Sequence, residues 1–167
     1  MEQTYQNKST HQHHINHAKN CDSGKQCDDK NFSLYQEIFR GAKMGEESIK
    51  ALDHVEYGNE LKEVVARHKR DYIDIAAAVQ GKALECGVDL SPTSNFDKAM
   101  LWTGIFFDTL TDNTNSHIAE LMTKGTHMGV ISLLKLINQL GDSANTAYGD
   151  KLLKIYDNNL LELRAFL

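Results

Sequence analysis

The residues of this chain best suited to chemistry are its eight histidines and three cysteines, and their spacing divides them into two groups. His11, His13, His14 and His17 crowd the beginning of the chain, with Cys21 and Cys27 close behind. Neutral imidazole and thiolate suit Zn, Ni, Cu and Fe, so this cluster has the chemistry to capture a transition metal. Five residues lie between the two cysteines, outside the usual two to four of a structural zinc knuckle, so no closed tetrahedral site is implied. The composition around them is polar and almost free of large aliphatics, which points to a solvated tail with incidental metal affinity.

The other four histidines, His54, His68, His117 and His127, stand out for what is missing around them. Dinuclear iron or manganese centres in helix bundles use Glu-x-x-His, because a three-residue step puts a carboxylate oxygen and an imidazole nitrogen on one inward face. None of these histidines has a carboxylate three residues upstream. In His68 with Asp71 and His117 with Glu120 the acid follows the histidine instead, a spacing that suits a surface or inter-helix ion pair. A full di-metal oxidase centre is not expected. Neither a nucleophile with its base nor a glycine-rich phosphate loop is evident, and the scattered glycines, Gly41 with Gly45 and Gly125 with Gly129 among them, read as close helix contacts.

Those histidines have to be carried by helices. Long stretches pass without Gly or Pro, Pro92 is the only proline, and β-branched runs between turns are few, so the class is all-α. Residues 1–31 form a disordered His-rich tail in this reading, and 32–167 one helical domain. The first helix is expected from Ser33, whose spacing to Gln36 suits a capping box, to about Val55 before Tyr57-Gly58. A second, from Asn59 to Cys86, carries the seam Leu61, Val65, His68, Tyr72, Ile75, Val79 and Ala83, with Gly87 placed for a left-handed cap. Cys86 closes that stripe as a small buried apolar residue.

A short helix bearing Trp102 is expected between Ser94 and Thr111. The chain then recaps at Asp112 to Asn115 for a helix ending at Gly141. The last helix starts at Asp142 or Ser143, with a face of Tyr148, Leu152, Ile155, Leu163 and Phe166. Four long helices of matched length and one short one make a four-helix bundle of two hairpins. The Trp102 helix is then the crossover between the second and third long helices.

Counting residues away from the turn at Tyr57 puts Glu46 and His68 at one height. If the helix after Asp112 runs parallel to the second, Met122 to His127 come to the same level, and pairing around the Gly141-Asp142 turn brings Asp157 to Asn159 there too. A polar layer of Glu46, His68, His127 and Asp157 or Asn159 would occupy mid-bundle, as a reduced metal site in one reading. In the other reading His68 is a core histidine whose ring nitrogens are satisfied by Glu46 or by a hydroxyl on the helix after Asp112.

The run DKAMLWTGIFFDTL (97–110), followed by 116–140 with SHIAELMTKGTHMG, and the C-terminal NNLLELRAFL, resembles small bacterial ferritin-like proteins of unassigned function. The likeness covers about four fifths of the chain and implies a ferritin-like bundle. It implies no site, since Glu-x-x-His is absent here.

The formal charge of -5 lies entirely outside the first 31 residues, where four lysines balance four acids. An acidic domain offers no electrostatic footprint for a phosphate backbone, so no nucleic acid partner is expected. No apolar run approaches bilayer length and the N-terminus lacks a signal-peptide core, so no membrane partner and a cytoplasmic location are expected. Three cysteines, an odd number, argue against a secreted disulfide framework. The expected function is a non-catalytic interaction or structural module, a homo-oligomer or a binder of another protein, without cofactor. The alternative is a metal-handling protein that uses the tail and the polar layer.

Overall fold

The computed structural model describes residues 29–91, 112–141 and 146–167. Helix α1 (Asp29–Lys50) buries Leu34, Tyr35, Ile38, Ala42, Glu46 and Ile49, a stripe recurring every three or four residues. It starts before the expected cap: Ser33 is inside the helix, and its hydroxyl donates to the Asp29 carbonyl at 2.9 Å. Beyond Lys50 the backbone tightens, with Leu52 N–H bonding Ile49 O at 2.9 Å and Asp53 N–H bonding Lys50 O at 3.0 Å.

Helix α2 (Asn59–Glu85) follows, and every residue of the expected seam from Leu61 to Ala83 is buried. Its end is a Schellman motif: Val88 N–H reaches Ala83 O, Gly87 N–H reaches Leu84 O, and Gly87 supplies the required positive φ of 75°. Cys86, expected as a buried apolar residue, is half-buried and disulfide-bonded, and neither of the other two cysteines is among the described residues.

Helix α3 (Asn115–Leu140) starts where the polar run predicts a cap. Thr114 has extended backbone and its hydroxyl accepts from His117 N–H at 3.3 Å, while Asp112 Oδ1 accepts from Thr114 N–H at 2.9 Å. Helix α4 (Ala147–Leu163) runs on into a 3₁₀ turn, Arg164–Phe166. Its buried positions are Gly149, Leu152, Tyr156, Asn159 and Leu163, so the seam is rotated from the expected one, and Tyr148, Ile155 and Phe166 pack only partly. Gly149 and Asn159 carry no apolar signal, which is why periodicity alone put the face elsewhere. The Trp102 crossover helix and the start at Asp142 or Ser143 lie outside the described residues.

The chain thus forms an all-helical bundle, and no strand occurs among the described residues. Its directions follow from the ties between helix ends. Gly58 N–H bonds Asn115 Oδ1 at 2.7 Å and Asn113 Nδ2 bonds Glu56 O at 2.8 Å, so α3 starts beside the α1–α2 turn. Lys30 Nζ reaches Leu140 O at 3.3 Å, which sets the end of α3 beside the start of α1. Helices α2 and α3 therefore run one way, α1 and α4 the other. Among the described residues no helix is long and apolar enough to cross a membrane.

Candidate functional site

Leucine, isoleucine and valine fill most of the core, and the polar residues admitted to it are few: Glu46, His68, Thr126 and Asn159. Each must be paired or leave a buried group unsatisfied. His68 is 1% exposed, and its Nε2 lies 2.9 Å from Oε2 of Glu162 on α4. The other Glu162 oxygen accepts from Arg67 at 3.1 Å. Burial lowers the His68 pKa below its ordinary 6.5, and the hydrogen bond from Glu162 only partly offsets it. The imidazole is therefore neutral at pH 7, donating from Nε2 to the carboxylate and leaving Nδ1 as a buried acceptor with no partner among the described residues. Burial pulls the Glu162 pKa upward, but the bonds from His68 and Arg67 outweigh it and leave the carboxyl below its usual range.

Glu46 and His68 do not meet. The Glu46 carboxylate turns along its own helix, where Lys43 and Lys50 hold it from one turn on either side, Lys50 at 2.7 Å. Burial raises its pKa, the two lysines lower it, and the lysines prevail. His127 is exposed, with Nδ1–H donating to Thr123 O at 2.9 Å, and Asp157 is exposed as well. Of the expected layer, then, His68 and Asn159 lie in the interior, while Glu46 is buried but paired with lysines. His11, His13, His14 and His17 lie outside the described residues. His117 and Glu120 stand 3.8 Å apart on the surface, and Lys124 takes the carboxylate more closely at 2.6 Å. Among the described residues no three or more His, Cys, Asp or Glu side chains gather so as to hold a metal ion.

Residue counting misses Glu162 because it reaches His68 from one helical turn beyond the Asp157–Asn159 level. The Arg67-His68 pair opposite an acid was the available signal. Also missed is a cluster of buried phenols. Tyr72 and Tyr156 have ring centroids 6.1 Å apart, and burial pushes both hydroxyl pKa values up. Asn159 and Thr126 lie close enough to the Tyr72 hydroxyl to draw it partly back, yet Asn159 Nδ2 makes no hydrogen bond of good geometry.

The Tyr156 hydroxyl is enclosed by glycines: a methyl group added at Gly41 would lie 2.7 Å from it, and one at Gly129 2.8 Å. A methyl at Gly45 would lie 2.6 Å from the Tyr72 ring. Gly125, expected as a close contact with Gly129, has open space around it.

Two surface features of the described residues bear on function. A cleft of about 360 Å³ between α2 and α4 is lined by Arg67, Arg70, Asp71, Asn158, Asn159, Leu161 and Glu162. On the outer side of α3, Met128, Ile131 and Leu134 are 72, 52 and 41% exposed. Compared with known proteins, the chain matches no family model, no curated protein and no solved structure.

Proposed function

We propose that this chain is a ferritin-like bundle, two helical hairpins joined by a crossover, that works without catalysis as a structural module and associates with a second copy of itself through α3. The observation carrying this reading is the exposed stripe Met128, Ile131 and Leu134. Three large apolar side chains in successive turns of one helix cost free energy in water, and such a strip marks a surface that gains by being covered.

The stripe is its own complement. Its three residues sit at equal steps about Ile131, so an antiparallel two-fold pairing of α3 sets Ile131 on Ile131 and Met128 on Leu134 of the second copy. That is the reciprocal pattern an isologous interface needs. No carboxylate falls within the stripe, and the nearest charges, Lys124 and Lys135, lie at its edges. The interior fits the same reading. The buried carboxylate of Glu46 is held by Lys43 and Lys50, and the half-exposed one of Glu162 by Arg67 and His68, so each is already paired.

The test is the mass in solution. The wild-type chain should sediment as a dimer at micromolar concentration and Ile131→Glu as a monomer with unchanged helical circular dichroism, because a buried unpaired carboxylate opposite its own copy is strongly unfavourable. A monomeric wild type would end this reading.

A second reading, metal handling, has one observation in its favour: the His68 Nδ1 is buried with no hydrogen-bond partner among the described residues, on a ring whose Nε2 is held by the Glu162 carboxylate. The ions it would take are Zn, Ni, Cu or Fe. Untagged protein grown with added metal should lose its bound metal when residues 1–31 are removed. Stoichiometric metal that survives this removal and vanishes in His68→Ala would favour the second reading over the first.

A further inference from the structure

We propose that the cleft between α2 and α4 is a binding site for a small molecule bearing an oxyanion, a carboxylate or a phosphate, gripped by Arg70 and Asn159. Its volume of about 360 Å³ is that of a metabolite-sized site. Two features distinguish it from an ordinary surface groove.

The first is a poorly paired amide on a residue that lines it. Asn159 lines the cleft at 1% exposure, and its Nδ2 lies near the Tyr72 hydroxyl without making a hydrogen bond of good geometry among the described residues. A buried N–H so poorly paired is costly, and turning it toward an oxygen held in the cleft would recover the bond. The second is the state of the charges along the walls. Arg67 is committed to Glu162 at 3.1 Å, while Arg70, one turn along α2, has no carboxylate partner among the described residues. Arg70 is therefore the guanidinium left to meet a ligand in a forked, charge-assisted geometry.

Glu162 would repel an anion if it were free. Arg67 holds one of its oxygens and His68 the other, so its charge is compensated before a ligand arrives. Asp71 is the remaining acid of the lining. Its position beside Arg70 disfavours a doubly charged phosphate and favours a singly charged carboxylate, above all one that also carries an ammonium group for Asp71 to accept.

Binding is measured on the full chain by ¹H–¹⁵N NMR titration with acetate, glycine and inorganic phosphate, each in turn. The Asn159 side-chain amide and backbone amides of 67–71 and 158–162 should shift together. Glycine should bind more tightly than acetate, and affinity should fall with added salt. Arg70→Gln, an exposed change that leaves the core alone, should weaken binding about tenfold, while Lys135→Gln on α3 should not change it. No shift at the Asn159 amide with any of the three up to roughly 50 mM, where even weak millimolar sites fill, overturns the proposal. Equal shifts in Arg70→Gln overturn it as well.

Discussion

His68 carries the clearest pH signature in the molecule. Burial holds its folded pKa below the 6.5 of the free side chain, so below that pH the unfolded chain binds the proton more readily than the folded one. Its contribution to stability is complete above about pH 6.5 and is lost as pH falls through the folded value. His68→Gln keeps a donor for Glu162 but cannot titrate. It should cost about 1–3 kcal/mol at pH 7 through repacking, and its urea midpoint should fall less than that of the wild type between pH 7 and pH 5. A steeper fall in the variant would contradict the neutral, buried assignment. That His68 would be interior was legible from the α2 seam. Its partner was not: the expected Glu46 is held by lysines of its own helix, and Glu162 reaches in from beyond the Asp157–Asn159 level of α4.

At the scale of helices, the glycines separate into those that carry a contact and those that do not. A methyl at Gly45 would meet the buried Tyr72 ring at 2.6 Å and force it to shift, so Gly45→Ala should destabilise by about 1–3 kcal/mol. Gly125 lies mid-helix in open space, and Gly125→Ala should stabilise by about 0.5–1 kcal/mol through helix propensity alone. For a domain of this size each kcal/mol moves the thermal midpoint by about 2–4 °C, so scanning calorimetry would resolve opposite shifts. The α2 element was readable in full, since seven spaced residues and a terminal glycine agree with one another. Helix α4 was readable as a helix but not in its face, which includes Gly149 and Asn159, residues whose burial follows from contacts with other helices.

For the whole molecule, the α3 stripe and the α2–α4 cleft are built from different helices, and the two proposals separate cleanly. Arg70→Gln should leave the sedimenting mass unchanged, and Ile131→Glu should leave the Asn159 amide responsive to glycine. The helix class and the α1–α2 hairpin were evident from apolar spacing. The level-matching already set α3 parallel to α2, but the two side-chain bonds that hold its start beside the α1–α2 turn, Asn113 to Glu56 and Asn115 to Gly58, were not legible, because periodicity does not encode them.

The Tyr156 hydroxyl, pressed between Gly41 on one hairpin and Gly129 on the other, makes a single phenol the spacer for three helices. Positions distant in the chain thereby share one wedge. Whatever displaces that wedge for one of them has already made room for the other, so the penalties of enlarging both should sum to less than their parts. Mutational drift at these two sites is consequently epistatic: once either glycine has been lost, the constraint that preserved its counterpart is relaxed.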